Sequence, residues 1–133
     1  MPAFYKEFFY RGKLSLIGKM LGKPQPKPVT FTGPGSRAQL SKAIGQFGIK
    51  SVLIVTDKPL RELGILDDTI ETLTANGVSA QVYDGVLPDP TQQVVDDGIA
   101  MLKQHGCEGV LAFGGGSSID CAKVIALGSA NNG

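Results

Sequence analysis

The residues with the clearest chemical potential are three consecutive glycines, Gly114–Gly116, which stand between a short apolar run and a run of helical periodicity. A turn without side chains lets the backbone come close to a ligand. The following helix points unpaired N–H groups and a partial positive charge at the same place. Ser117 can cap that helix or donate its hydroxyl to a phosphate oxygen. The pattern predicts a phosphate or pyrophosphate site. A tightly packed strand-to-helix connection is the alternative.

Asp57 is a second candidate, because it ends the best strand of the chain, residues 51–57. Ligands of open parallel sheets bind beyond the carboxyl ends of the strands. A carboxylate at that place can accept hydrogen bonds from both hydroxyls of an adenosine ribose. The competing interpretation is a helix N-cap on the next segment, which requires the same residue and no ligand.

No catalytic residue and no metal ligand is predicted. The one histidine, His105, and Cys107 could form a metal pair, but two ligands make a poor site. A loop histidine is the simpler interpretation. Two cysteines, Cys107 and Cys121, are too few for a disulfide framework, which favours a reducing, cytoplasmic setting.

Size and charge narrow the function classes. The chain has 133 residues, 42% of them hydrophobic and 19% charged, as expected for a globular domain. A formal net charge of +1 gives no reason to expect nucleic acid or an anionic membrane as partner. No apolar run approaches the roughly 20 residues of a membrane span. The N-terminus also lacks the order of a signal peptide.

The elements that must position these residues alternate along the chain. Beside residues 51–57, strands are predicted at 29–32, 79–84 and 109–113, and helices at 36–47, 60–66, 67–75, 91–104 and 117–127, with Ser36 as the N-cap of the first helix. This order predicts an α/β fold, a Rossmann-like parallel sheet with helices on both faces. We expect residues 1–28 to be an amphipathic N-terminal arm and a proline spacer, and residues 29–133 to be the α/β domain.

These motifs support a resemblance to a known family. Gly114-Gly115-Gly116-Ser117, continued by Asp120, Ala122 and Lys123, resembles the pyrophosphate-binding motif of the iron-dependent (group III) alcohol dehydrogenases. Val55-Thr56-Asp57-Lys58 resembles the segment that ends their adenosine-side strand, and the residues of 83–91 resemble the loop between those two sites. The motifs stand in family order and cover about residues 29–133.

The resemblance implies a nicotinamide-binding domain. It implies that Gly114, Gly115, Gly116 and Ser117 lie at the pyrophosphate and Asp57 at the adenosine ribose, where a carboxylate favours NAD over NADP. It also assigns Asp120 to the cofactor site, in the first turn of the last helix, with a structural role. For the whole enzyme it implies hydride transfer between a primary alcohol or aldehyde and NAD(P), assisted by Fe²⁺ or Zn²⁺.

The chain departs from the family in length. Family members carry their metal ligands in a helical second domain, and this sequence contains no counterpart of it. We therefore expect the cofactor-binding half only, either as a fragment or as a short form, inactive alone and associating into a homodimer or larger assembly. The alternative function is a non-catalytic oligomerisation or nucleotide-binding module, associating through its arm and an exposed face.

Overall fold

In the computed structural model, residues 29–131 are described. The predicted arm and spacer, residues 1–28, lie outside the described residues, as do the last two residues. The described elements alternate between helix and strand. They are α1 (Ser36–Gln46), β1 (Ser51–Val55), α2 (Lys58–Glu62), α3 (Asp67–Ala75), β2 (Ser79–Tyr83), α4 (Gln92–Gln104), β3 (Gly109–Ala112) and α5 (Gly116–Ala130).

The three strands form one parallel sheet in the order β2–β1–β3. Central β1 pairs with both neighbours, so that Val55 stands opposite Tyr83 on one side and Ala112 on the other. Because the strands run in the same direction, their carboxyl ends meet at one edge of the sheet. This arrangement confirms the predicted Rossmann-like α/β fold.

Helices cover both faces of the sheet. Leu53 and Val55 belong to a buried cluster that contains residues of α4 and α5. Val52 and Ile54 point to the opposite face, into a second cluster with Leu73 of α3 and Ile44 of α1. These four side chains of β1 are each 3% exposed or less, as a strand covered on both faces requires. Among the described residues, no helix is long and apolar enough to cross a bilayer.

The predicted strand at 29–32 is wrong. This stretch pairs with none of the three described strands, and Val29 is 68% exposed. Val, Thr and Phe favour a pleated surface, but a strand also needs a neighbour that completes its ladder hydrogen bonds. Whether a neighbouring strand is present depends on the tertiary structure, which the composition of this stretch does not indicate.

The short helix predicted at 60–66 lies at Lys58–Glu62 instead, because the Asp57 side chain caps it earlier in the chain. Two further predicted helix starts are wrong by one residue, and glycine explains both. Gly35 precedes α1 with φ at 81°, so Ser36 is the first helical residue rather than the cap. Gly115 precedes α5 in an extended conformation, which makes Ser117 the second residue of that helix. The far end differs too, because α5 continues to Ala130 instead of ending near residue 127.

Candidate functional site

A cleft of about 640 Å³ opens at the carboxyl ends of the strands. Each strand is followed by residues that line it. They are Asp57, Lys58 and Pro59 after β1, Asp84 to Pro88 after β2, and Gly115 to Ser118 after β3. Residues far apart in the sequence are thus brought together by the parallel topology. This is the place where ligands bind in open α/β sheets.

The glycine turn forms one wall of the cleft. Gly114 has φ at 139°, and a Cβ on it would lie 2.8 Å from Ser118 Oγ, so this position requires glycine for the fold itself. At Gly115 and Gly116 a Cβ would meet nothing within 4 Å. The fold therefore gives no reason for glycine at these two positions, whereas a ligand lying against the backbone would.

The N-terminus of α5 provides hydrogen-bond donors to this wall. The first helical bond joins the Ile119 N–H to the Gly115 carbonyl at 3.1 Å. The N–H groups of the three residues before Ile119 consequently have no acceptor within the helix. Together with the positive end of the helix dipole, they suit an anionic group such as a phosphate.

Ser117 makes a contact that was not predicted. Its Oγ donates to the Pro88 carbonyl at 3.1 Å, which links the start of α5 to the loop after β2 across the cleft. The hydroxyl has one proton to donate. Donation from Ser117 to a phosphate would therefore require the hydroxyl to leave Pro88.

One of the two roles suggested for Asp57, the helix N-cap, is confirmed, and its contact with a ribose stays a prediction. Asp57 is the N-cap of α2, and its Oδ1 accepts a hydrogen bond from the Leu60 N–H at 2.9 Å. It also lines the cleft. One carboxylate oxygen is engaged in the cap, and a second oxygen is available for other partners, so capping and ligand binding do not exclude each other.

Asp84 lies beside Asp57 and was not among the predicted site residues. It follows β2 as Asp57 follows β1, and it lines the same cleft. Its Oδ2 accepts a hydrogen bond from Arg61 Nη1 of α2 at 3.2 Å. Its position in the sequence could have indicated it, because it is an acidic residue that directly follows a predicted strand, as Asp57 does.

Asp120 lies outside this cleft. Because α5 begins at Gly116, Asp120 is its fifth residue rather than a residue of the first turn, which corrects the expected position. Its Oδ1 is 3.6 Å from Lys123 Nζ, and 75% of its side chain is exposed. It lines a smaller cavity of about 250 Å³ between α4 and α5. A role for Asp120 in cofactor binding stays a prediction.

The two kinds of group that the resemblance implies fit this part of the chain differently. The cleft has features that suit a dinucleotide, because bare backbone at Gly115 and Gly116 faces open space and the carboxylate of Asp57 lines the same cleft. A metal does not fit, since the described residues contain no cluster of three or more His, Cys, Asp or Glu side chains that could hold one.

Comparison with known proteins identifies the same family as the sequence motifs. The sequence profile of the iron-containing alcohol dehydrogenases matches residues 27–133. Alcohol dehydrogenase 4 of Schizosaccharomyces pombe is 39% identical over 101 residues, which are 76% of this chain and 24% of that protein. The NAD-dependent methanol dehydrogenase of Bacillus methanolicus is 33% identical over 106 residues, covering 80% of this chain and 28% of the relative.

A solved structure agrees in fold. The crystal structure of a 1,3-propanediol oxidoreductase superposes with a TM-score of 0.72 at 36% identity, covering 76% of this chain and 26% of the other. The chain spans about a quarter of the length of the relatives that it matches. It belongs to the iron-containing alcohol dehydrogenase family, and it corresponds to the Rossmann-like part of that family's proteins.

Proposed function

We propose that this chain binds NAD in the cleft at the carboxyl ends of β1, β2 and β3, as the cofactor-binding half of an alcohol dehydrogenase. The observation that carries the proposal is the pair of glycines, Gly115 and Gly116, whose missing side chains leave open space on the cleft wall. The name of the Bacillus methanolicus relative, an NAD-dependent dehydrogenase, supports the choice of ligand.

The residues of this chain bind and orient the cofactor. The unpaired N–H groups at the start of α5 hold the pyrophosphate against the glycine turn. Asp57 accepts hydrogen bonds from the adenosine ribose, which favours NAD over NADP because a 2′-phosphate would meet a carboxylate. Asp120 takes part from the fifth position of α5, in the structural role that the sequence suggested.

The reaction we propose for the whole protein is reversible hydride transfer between a small primary alcohol or aldehyde and the cofactor. NAD supplies the hydride chemistry when it is bound. We assign the ligands of the Fe²⁺ or Zn²⁺ to the parts of family proteins that lie beyond this chain's matched region. We further propose a cytoplasmic setting, a homodimer or larger assembly, and no turnover by this chain alone.

The test is a calorimetric titration of NAD into the full chain and into the Gly116→Val variant. A Cβ added at this position would have no protein atom within 4 Å, and residue 116 is the first residue of α5, so we expect the variant to keep its fold. It places a side chain where the pyrophosphate must lie. We expect saturable binding to the unaltered chain and no measurable binding to the variant, with unchanged circular dichroism.

A matched control separates binding from backbone effects. Gly115→Ala and Gly116→Ala add only a Cβ to the open wall, and we expect a smaller loss of affinity than with valine. Equal affinity for NAD in the unaltered chain and in Gly116→Val would refute the glycine site. Failure of NAD to bind the unaltered chain would refute the proposed function itself.

The second candidate function is a non-catalytic assembly module. It is favoured by the outward face of α5, where Ile119, Val124 and Leu127 are 42%, 48% and 64% exposed. Helical spacing places these three side chains within an arc of about 140° that also carries the exposed ion pair of Asp120 and Lys123. Exposed apolar side chains on one side of a helix are typical of an interaction surface. A chain that associates with increasing concentration but never binds NAD would support this function over the first.

A further inference from the structure

Two carboxylates, those of Asp57 and Asp84, line the cleft where the neighbouring strands β1 and β2 end. Asp57 and Gly85 form an isolated antiparallel bridge just beyond the paired parts of β1 and β2. The bridge holds Asp84, the residue before Gly85, at the strand end next to Asp57. Both aspartates line the cleft.

Asp84 also forms an ion pair with Arg61. Arg61 Nη1 is 3.2 Å from Asp84 Oδ2, and the two side chains are 50% and 37% exposed. Arg61 itself does not line the cleft, although it is on the same short helix that Asp57 caps. A half-exposed ion pair of this kind is weak. The guanidinium could therefore change partners if a stronger anion came within reach or if Asp84 lost its charge.

We propose that Asp84 is a second determinant of cofactor choice, because it presents a carboxylate to the ribose and keeps Arg61 from a 2′-phosphate. This inference rests on the proposed function of the cleft. A ribose hydroxyl can donate to a carboxylate, whereas the 2′-phosphate of NADP carries negative charge and repels it. Arginine is the side chain best suited to bind a phosphate with two parallel hydrogen bonds. Its capture by Asp84 removes that possibility.

The experiment uses ADP and its 2′-phosphorylated analogue as probes, because they occupy only the adenosine side of the cleft. Both are titrated into the full chain and into Asp84→Asn, Arg61→Gln and the double variant. We expect Asp84→Asn to raise the affinity for the 2′-phosphorylated probe relative to ADP by about tenfold, the scale of a charge-assisted hydrogen bond. Arg61→Gln should not raise this ratio, and the double variant should lose most of the gain.

Asp96→Asn is the matched control, because it removes one negative charge from exposed α4, outside the cleft, where Asp96 accepts a hydrogen bond from Gln92 at 2.9 Å. We expect it to leave the affinity ratio unchanged. A structural role of Asp84 would weaken both probes alike and lower the unfolding temperature, without moving the ratio. An unmoved ratio in Asp84→Asn overturns the inference, and an equal gain in the double variant overturns the part assigned to Arg61. Neither result contradicts the proposed NAD site. If neither probe nor NAD binds the unaltered chain, the proposed function falls and the inference with it.

Discussion

At the scale of single residues, Asp57 caps α2 and is the proposed acceptor for the adenosine ribose, and substitutions can separate these two roles. Asparagine is as good an N-cap as aspartate, so Asp57→Asn keeps the hydrogen bond to Leu60 and removes the charge. Asp57→Gly removes both, at a cost to helix stability of only a few tenths of a kcal/mol. We expect each variant to lower the discrimination of NAD against NADP, by on the order of 1–3 kcal/mol, the value of a hydrogen bond to a charged group.

The measurement is the ratio of NAD to NADP affinity in each variant, with the unfolding temperature as control. Equal shifts in Asn and Gly variants show that the charge sets the preference. An unmoved ratio in both would leave Asp57 as a helix cap and nothing more.

What sequence alone could reveal differs between Asp57 and Asp84. Asp57 follows an apolar run, so its place at a strand end was readable. Asp84 follows a strand whose side chains are only partly buried, and its importance comes from the alignment of β2 beside β1 and from Arg61 on a separate helix. The contact between Ser117 and Pro88 is likewise a product of tertiary structure. Contacts across elements depend on register and loop path, which local patterns do not encode.

At the scale of elements, Tyr83 fastens β2 to α4. Its hydroxyl donates to the Val94 carbonyl at 2.6 Å. Burial, followed by the nearby charge of Asp97, raises the pKa of Tyr83 from 10.0 to about 12. Between those two values the native state keeps the phenol proton, whereas the unfolded chain releases it. The resulting stabilisation is complete below pH 10 and is lost as the pH rises toward 12.

We expect Tyr83→Phe to flatten this part of the stability profile. Removal of the hydroxyl should also lower stability at neutral pH, by about 0.5–1.5 kcal/mol for a hydrogen bond. Denaturant unfolding of both proteins at several alkaline pH values measures both effects. Burial raises the pKa of the thiols of Cys107 and Cys121 as well, and since both remain in the variant, their part of the slope cancels in the comparison. An identical slope in the two proteins would contradict this assignment.

Helices and strands were predictable because their signals are local. The starts of α3 and the strands β1, β2 and β3 agree with apolar patterning and with the residues that flank it. The strand predicted at 29–32 was wrong because none of the described strands pairs with it, and two helix starts were misplaced where the backbone conformation of glycine decides. Gly35 and Gly115 take the cap positions that were assigned to Ser36 and Ser117. Glycine can adopt many backbone conformations before a helix, so the residue type alone does not show where the helix begins.

At the scale of the whole molecule, we expect the chain alone to associate and to show no alcohol dehydrogenase activity. The outward face of α5 leaves apolar side chains in water, which favours contact with a second copy. The predicted arm, a second adhesive element, lies outside the described residues. Light scattering over a wide concentration range tests association, and alcohol-dependent formation of NADH with added Fe²⁺ or Zn²⁺ tests activity. A constant monomer mass would contradict the expected association, and metal-dependent turnover would contradict the expected inactivity.

A pair of substitutions locates the contact. Leu127→Lys places a charge on the outer face of α5, where Leu127 is 64% exposed. Leu63→Lys makes the same change at a position that is 69% exposed and lies after α2. We expect the first to weaken association and the second to leave it unchanged. Equal effects would mean that general hydrophobicity, rather than this face, causes association.

Helix α5 belongs to both proposed equilibria, because its first turn forms the glycine wall and exposed apolar side chains lie on its outer side. Coupling between association and nucleotide binding is reciprocal: any factor by which association alters nucleotide affinity is the factor by which nucleotide alters association. When the two equilibria are coupled, the apparent dissociation constant for the nucleotide depends on the protein concentration used in the titration. Titrations of this chain at two protein concentrations would yield two affinities, and their quotient would measure the coupling.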